Sequence, residues 1–271
     1  MCALNLEEGW HLYRRYRPLL AGQPIRSLFH RIKVDTHRLG PSLHVETMLR
    51  YAITARLRTS VEESSREEAL LRQAQGLAET GVDFVQLREK DLEAGALALL
   101  ARKLLTILRS YKNAPKLLIN SRADVAVAVG ADGVHLTSAT GSLTPADVRR
   151  LYASAGLPEP IISVSCHTLS DIRPAREAAA SLILFGPVFE KVVSTTETDS
   201  PTETSVSEGI GLNLLHLACA TASPTPVLAL GGITEENTPA TVAAGAAGVA
   251  AIRMFLAAPD NPPVGSKPRA A

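Results

Sequence analysis

Short apolar segments alternate with helix-compatible segments along most of this chain, and that alternation limits the folds available to it. The apolar segments, which predict strands, are 49–54, 82–88, 115–120, 132–136, 160–165, 181–186, 226–230 and 248–252. The segments between them, several of which are rich in Ala and Leu, predict helices at 64–80, 92–111, 144–154, 169–180, 210–222 and 234–245, with a short helix-compatible connection at 121–130.

Eight strands joined by helical crossovers predict an α/β fold, a single (β/α)8 TIM barrel. A doubly wound open sheet is the alternative, and we favour the barrel because no glycine-rich turn follows the first strand. The barrel is predicted to span residues 48–258, followed by a disordered tail at 259–271 that contains four prolines.

The first part of the chain does not share this pattern. Residues 1–47 contain the only tryptophan, four of the seven histidines and a cluster of arginines, without a sustained helical or strand period. We predict that Met48 is the true start and that the upstream residues are a wrongly assigned, disordered extension. A basic arm, suggested by Arg14, Arg15 and Arg17, is the alternative, and early acidic residues argue against a mitochondrial transit peptide.

Composition excludes several classes of function. Hydrophobic residues make up 46% of the 271, and Lys plus Arg (28) nearly balances Asp plus Glu (27). This balance gives no electrostatic reason to predict binding to nucleic acid or to an anionic membrane, and no apolar segment approaches membrane-spanning length. Cys2, Cys166 and Cys219 lack metal-ligand spacing and predict reduced thiols in a cytoplasmic protein, while homo-oligomerisation is left open.

The second predicted strand ends in a charged segment, Gln86-Leu87-Arg88-Glu89-Lys90. Alternation along the strand places Gln86 and Arg88 on one face, and Lys90 follows within reach of the same space. In a barrel, catalytic residues lie at the C-terminal strand ends, and fixed cations there predict a bound phosphorylated small molecule. A solvated charge cluster is the alternative.

A glycine pair follows the seventh predicted strand. Gly231 and Gly232 let backbone N–H groups approach a phosphate, and Thr234 is predicted to cap the next helix. A tight turn that needs positive φ angles is the alternative. We favour phosphate binding because Arg253, at the end of the eighth strand, offers several donors to the same anion, although it could instead pair with a surface carboxylate.

Two histidines follow predicted strands. Ser163, Ser165 and His167 share one strand face, so Cys166 points away and cannot pair with His167. His167 is predicted to be a general acid or base, with a hydrogen bond to the local loop as the alternative. His135 is predicted to be structural, because it lies lower in its strand, within a layer of the core.

Two further segments near the strand ends allow two interpretations each. Asn120 either orients a substrate amine or fixes its own loop. Residues 190–209 are long and rich in Thr, Ser and Glu, which predicts either a mobile lid or a disordered insertion.

Together these motifs resemble the thiamine phosphate synthase/TenI superfamily. The matching segments, in the family's order, are 51–54, 85–90, 118–126, 130–136, 165–168, 185–189, 231–233 and 245–250. The resemblance implies a barrel that binds the thiazole phosphate of thiamine biosynthesis. It implies an acid/base role for His167 and substrate contacts at Gln86, Arg88, Lys90, Asn120, Ser165, Gly231, Gly232 and Arg253.

Departures from the family pattern bear on the reaction. The synthase branch joins a pyrimidine pyrophosphate to thiazole phosphate with Mg2+ held by two aspartates, and Ser121 and Thr140 stand at those positions here. Hydroxyl groups are poor ligands for Mg2+. Without the metal, departure of pyrophosphate loses its main charge stabilisation. The synthase pattern after Phe189 is also absent, at residues 191–194.

The TenI branch needs no metal and isomerises a thiazole carboxylate phosphate to its aromatic tautomer. Its acid/base histidine aligns with His167, and residues 136–145 and Phe185 resemble this branch more closely. We therefore predict a thiazole tautomerase that uses neither a metal nor another cofactor.

Two alternatives stay open. The first is a Mg2+-dependent synthase, because Arg88, Lys90 and Asn120 match its pyrophosphate and pyrimidine contacts; its metal ligands would be relocated, to Glu89 or to an acid within 190–209. The second is a non-catalytic protein that binds thiazole or thiamine phosphates.

Overall fold

A computed structural model describes residues 48–58, 63–137, 141–194 and 204–256 of the chain. Its strands are β1 Leu49–Ile53, β2 Phe84–Leu87, β3 Lys116–Asn120, β4 Gly133–Thr137, β5 Ile161–Cys166, β6 Leu182–Phe185, β7 Lys191–Ser194, β8 Thr204–Ser207, β9 Val227–Leu230 and β10 Gly248–Ala251. All except β7 and β8 are parallel and close into a ring in the order β1-β2-β3-β4-β5-β6-β9-β10. The predicted (β/α)8 barrel is confirmed. The predicted extension at 1–47 and tail at 259–271 lie outside the described residues.

Helices connect the strands as predicted. They are α1 Glu63–Glu79, α2 Ala94–Arg109, α3 Ala123–Val129, α4 Pro145–Ser154, α5 Leu169–Glu177, α6 Gly211–Ala222 and α7 Thr238–Ala243, with 3-10 turns at Arg56–Arg58 and Arg253–Phe255. Helix α4 begins at a capping box of Thr144 and Asp147, with Pro145 at the first helical position. None of the described helices is long and apolar enough to cross a membrane.

The last helix starts later than predicted, at Thr238, and Thr234 makes the reciprocal bonds of a capping box with Asn237 just ahead of it. The Thr234 N–H donates to Asn237 Oδ1 at 2.9 Å, and the Asn237 N–H donates to Thr234 Oγ1 at 3.3 Å. These two bonds close a turn over residues 234–237, across which the Thr238 N–H donates to the Thr234 carbonyl oxygen at 3.1 Å, and α7 begins at Thr238. Asn237 Nδ2 also donates to the carbonyl oxygen of Gly232 at 2.8 Å, which fixes the glycine pair to this turn.

Strands β7 and β8 form an antiparallel pair separate from the barrel. They belong to the segment 190–209, which was predicted to be a lid or a disordered insertion, and residues 195–203 lie outside the described part of the chain. Just beyond this segment, the Ile210 N–H donates to the Pro187 carbonyl oxygen at 2.9 Å. This bond joins the residues that follow the hairpin to the loop after β6.

Most buried side chains are aliphatic, as the strand segments predict. Tyr51, Gln86, His135 and Ser163 are polar but equally buried. Buried polar groups need hydrogen-bond partners to offset the loss of water. These four find partners largely in one another, and their positions lead from the barrel interior to its functional end.

Candidate active site at the barrel mouth

Every site residue predicted from the sequence lies at or just beyond the C-terminal end of a barrel strand. Gln86 lies near the end of β2 and Arg88 and Lys90 follow that strand; Asn120 ends β3; Ser165 lies near the end of β5 and His167 follows it; Gly231 and Gly232 follow β9, and Arg253 follows β10. Because the parallel strands of a barrel present these ends on one side, the residues surround a common mouth.

A continuous chain of hydrogen bonds crosses the barrel beneath this mouth. Gln86 Nε2 donates to the Tyr51 hydroxyl at 3.2 Å, and that hydroxyl lies 2.9 Å from Ser163 Oγ. Ser163 Oγ lies 2.8 Å from His135 Nδ1, and His135 Nε2 lies 2.9 Å from Ser165 Oγ. We call these five residues the buried relay. Its last member, Ser165, is half-buried and reaches the mouth.

His135 is a core residue, in agreement with its predicted structural role. It is 7% exposed, and both ring nitrogens have serine partners. Burial, assisted by the positive charge of Arg88, lowers the pKa of His135 to about 3. The imidazole is therefore neutral at physiological pH, with one nitrogen donating and the other accepting.

The buried imidazole predicts a specific loss of stability in acid. Unfolded histidine takes up a proton near pH 6.5 but folded His135 only near pH 3, so its contribution is complete above pH 6.5 and falls as the pH drops toward 3. Between pH 7 and pH 5 this amounts to about 2 kcal/mol. His135→Gln lacks this contribution. Its free energy of unfolding, measured by urea denaturation, should therefore fall between pH 7 and pH 5 by about 2 kcal/mol less than that of the unaltered protein. His216→Gln, which removes an exposed imidazole from α6, should retain the full pH dependence; equal slopes in the two variants would contradict this assignment.

His167 lies exposed at the end of β5, held by two contacts. Its Nδ1 lies 2.6 Å from the Gly186 carbonyl oxygen, and its backbone N–H donates to Asp171 Oδ2 at 2.9 Å. Because a carbonyl oxygen only accepts, Nδ1 carries a proton, and in the neutral ring Nε2 has the lone pair. No described residue hydrogen-bonds Nε2. Cys166 is buried on the opposite side with its pKa raised to about 12 by burial, so it forms no pair with His167, as predicted.

The glycine pair after β9 is closely packed. Gly231 and Gly232 have φ angles of +90° and +66°, and a Cβ added to Gly232 would lie 2.6 Å from the Glu190 carbonyl oxygen. The predicted tight turn is therefore present. The N–H groups of both glycines bond to no acceptor among the described residues, so they remain available to an anion.

The basic residues of the mouth differ in burial. Arg88 is half-buried, whereas Lys90 and Arg253 are exposed. The Arg88 backbone N–H donates to Thr54 Oγ1 at 3.0 Å, while its guanidinium group bonds to none of the described residues. A half-buried guanidinium group with unused donors suits an anionic ligand.

Glu89 has a different role from the metal ligand considered above. Thr54 Oγ1 donates to Glu89 Oε1 at 2.5 Å, and the Arg56 N–H lies 3.1 and 3.2 Å from its two carboxylate oxygens. Burial raises the pKa of Glu89, and the bonds from Thr54 and Arg56 partly offset this. Through these bonds the Glu89 carboxylate connects the loop after β1 to the loop after β2. Through Thr54 it helps to position Arg88.

Comparison with known proteins settles the family. The model of the family described as thiamine monophosphate synthase matches residues 51–255. The chain belongs to the thiamine monophosphate synthase family. This confirms the predicted superfamily and places the protein among the enzymes of thiamine biosynthesis.

Relatives within the thiamine monophosphate synthase family cover most of the chain. A putative thiamine-phosphate synthase of Geobacter sulfurreducens is 41% identical over 192 residues, which are 70% of this chain and 81% of the relative. Putative thiamine-phosphate synthase 2 of Aquifex aeolicus is 36% identical over 206 residues, 76% of this chain and 96% of the relative. Among solved structures, thiamine phosphate pyrophosphorylase from Pyrococcus furiosus matches with a TM-score of 0.56 and 26% identity, over 76% of this chain and 85% of that one.

The resemblance to the synthase branch implies a bound Mg2+ ion. The side-chain donor atoms of the described residues at the predicted ligand positions do not fit that ion. Ser121 stands at one predicted ligand position, where its hydroxyl accepts from Asn120 Nδ2 at 3.3 Å, and Thr140, at the other, lies outside the described residues. Within 48–58, 63–137, 141–194 and 204–256, no three His, Cys, Asp or Glu side chains cluster to hold a metal. Mg2+ requires hard, preferably anionic oxygen ligands. The bond from Asn120 also supports the interpretation that this side chain fixes its own loop.

Proposed function

We propose that this protein is a thiazole tautomerase of thiamine biosynthesis. It binds a thiazole carboxylate phosphate at the barrel mouth, and His167 moves a proton between two positions of the thiazole ring. The observation that carries the proposal is the hydrogen bond from His167 Nδ1 to the Gly186 carbonyl oxygen, which leaves Nε2 as a base at the mouth.

The phosphate group is assigned to the glycine pair. The N–H groups of Gly231 and Gly232 supply donors, and Arg253 supplies positive charge from the neighbouring strand. The loop after β6 connects this position to His167, since Gly186 bonds to the imidazole and the following Pro187 packs against Gly231. Phosphate and base are therefore held by one continuous segment.

The proposed reaction conserves every atom. Nε2 of His167 removes a proton from one ring position, which converts the imidazole to imidazolium, and returns that proton to a second ring position. The Gly186 carbonyl oxygen holds the ring orientation through both transfers and stabilises the positive charge on the imidazolium. No step draws on a metal ion.

Coupling of pyrimidine pyrophosphate to thiazole phosphate is the second candidate. The names of the relatives favour it, since curated proteins similar to this chain are described as thiamine-phosphate synthases or putative thiamine-phosphate synthases. Arg88, Lys90 and Asn120 also remain at the strand ends where the family resemblance assigns pyrophosphate and pyrimidine contacts. Against it stand the serine at position 121 and the commitment of Glu89 to Thr54 and Arg56.

Two parallel assays on the full chain separate these candidates. In the first, the thiazole carboxylate phosphate is supplied alone, with and without EDTA, and the aromatic tautomer is measured; we expect turnover in both conditions. In the second, pyrimidine pyrophosphate, thiazole phosphate and Mg2+ are supplied, and we expect no thiamine phosphate. EDTA-sensitive formation of thiamine phosphate would put the synthase first. Thermal stabilisation by the thiazole phosphate with no product in either assay would identify a non-catalytic binder.

A further inference from the structure

The imidazole ring of His167 depends on one hydrogen bond for its orientation. Its Nδ1 lies 2.6 Å from the Gly186 carbonyl oxygen, and the ring bonds to no other described residue. The acceptor is held in place, because the Gly186 N–H donates to the Cys166 carbonyl oxygen at 3.3 Å and an added Cβ at Gly186 would lie 1.9 Å from the Leu230 carbonyl oxygen. The orientation of the ring is therefore decided by where the His167 backbone is held.

Asp171, in the first turn of α5, holds that backbone. Strand β5 ends at Cys166, so the pairing of β5 with β6 stops one residue before His167. Asp171 Oδ2 accepts from the His167 N–H at 2.9 Å and from the Thr168 N–H at 2.9 Å. One carboxylate oxygen therefore binds both residues that join β5 to α5.

The Asp171 carboxylate is ionised when it makes these bonds. Burial acts to raise its pKa, but the N–H groups of His167 and Thr168 outweigh burial and hold the pKa of Asp171 below its ordinary value. Hydrogen bonds to an ionised acceptor are roughly twice as strong as bonds between neutral groups. The backbone of His167 is therefore held firmly although its side chain is exposed.

Capping of α5 does not account for both bonds. Helix α4 begins at an equivalent capping box, in which Asp147 Oδ2 accepts from the Thr144 N–H at 2.8 Å. In both helices the aspartate stands three residues after the N-cap residue and bonds to its N–H. The bond from His167, which precedes the N-cap residue, is additional. Asp147 and Asp171 are both half-buried, so they form a matched pair in which Asp171 alone bonds to His167.

We infer that Asp171 is a positioning residue for His167. By fixing the His167 backbone, Asp171 keeps Nδ1–H within reach of the Gly186 carbonyl oxygen, and the neutral ring then carries its lone pair on Nε2 at the mouth. The effect of Asp171 on the rate rests on the proposed function. Its effect on which ring nitrogen is protonated does not.

The protonated nitrogen is determined first, without a ligand. Long-range nitrogen–proton NMR at pH 8.5 of the full chain, labelled with 15N-histidine, distinguishes the two neutral forms of each ring, and His167→Ala identifies the His167 signal. We expect the Nδ1–H form in the unaltered protein and in Asp147→Ala. In Asp171→Ala both forms should be populated, because the ring no longer reaches its acceptor.

The two aspartate variants should lose similar stability, since each removes one capping box. We expect both melting temperatures to fall by roughly 2–4 °C. If Asp171→Ala does not fold, Asp171→Asn, which keeps an oxygen at that position without the charge, takes its place and should show a smaller population of the Nε2–H form. A pure Nδ1–H form in the Asp171 variant, or an equal mixture in Asp147→Ala, would overturn the inference.

The effect on the rate is measured with the thiazole carboxylate phosphate as substrate. Asp171→Ala should lower kcat by about ten- to a hundredfold, the usual effect of misplacing a reacting group by about 1 Å, and leave KM within about twofold. Asp147→Ala should change neither value by more than about twofold. A rise in KM with kcat unchanged, or equal losses of kcat in the two variants, would contradict a positioning role.

The two measurements fail separately. If the unaltered protein does not convert the thiazole carboxylate phosphate, the proposed function fails. The NMR result then still decides whether Asp171 fixes the His167 ring.

Discussion

Turnover of the thiazole carboxylate phosphate should fall by at least about a hundredfold when His167 is replaced by alanine, because general acid–base catalysis contributes at least that much. Affinity for inorganic phosphate should stay within about twofold, since the glycine pair and Arg253 are unchanged. The exposed position of His167, fixed only through Nδ1 and its backbone N–H, makes a large loss of stability unexpected. Single-turnover rates and phosphate titration provide the two measurements.

The control for this variant is His216→Ala. His216 is also exposed, and its Nδ1 contacts a backbone carbonyl oxygen, that of Ala244 at 3.2 Å, but it lies on α6 away from the strand ends. Its removal should leave the rate unchanged. Full activity in His167→Ala would eliminate this residue as the proton carrier. A loss of phosphate affinity equal to the loss of rate would point to a binding role instead.

The second large effect is expected at Gly232. An alanine Cβ there would lie 2.6 Å from the Glu190 carbonyl oxygen and 2.7 Å from Phe189 Cβ, at a φ angle of +66°. Overpacking against backbone and a left-handed conformation together cost about 3 kcal/mol, which lowers the melting temperature by roughly 10 °C. Movement of the N–H groups should also weaken phosphate binding by about tenfold or more.

Gly130→Ala separates these two contributions. Gly130 ends α3 at a φ angle of +62°, and nothing lies within 4 Å of an added Cβ. It should therefore lose only about 1 kcal/mol of stability and retain its phosphate affinity. If Gly232→Ala behaves like Gly130→Ala in calorimetry and in titration, close packing at the glycine pair is not what holds the phosphate site.

The fold could be predicted from the sequence because its signals are local. Apolar segments, helical connections and a capping box such as that of Thr144 and Asp147 each depend on a few neighbouring residues. The pairing of β7 with β8 was not predicted, because the sequence of this polar segment does not alternate apolar and polar residues. The start of α7 was placed too early because the exchange of bonds between Thr234 and Asn237 resembles an ordinary helix start in sequence.

The site was predicted in part. The rule that barrel chemistry lies at strand ends placed the candidates near the mouth, including His167, although Gln86 belongs to the buried relay beneath it. The role of Tyr51 was not predicted, because its partner Ser163 is 112 residues away in the chain. The contact of Glu89 with Thr54 was not predicted for the same reason: it spans 35 residues and depends on how two loops approach each other. Contacts of this kind follow from the closed barrel rather than from any local pattern.

The ordered relay also has an evolutionary consequence. A phenylalanine in place of Tyr51 would leave the Gln86 amide and the Ser163 hydroxyl without their partner, and a single change at His135 would do the same to two serines. Such intermediates are costly, so substitutions at these positions should be inherited in groups. Across homologous chains, we expect the positions of the buried relay to carry either a complete group of hydrogen-bonded polar residues or a group of apolar residues. Mixtures of the two should be rare.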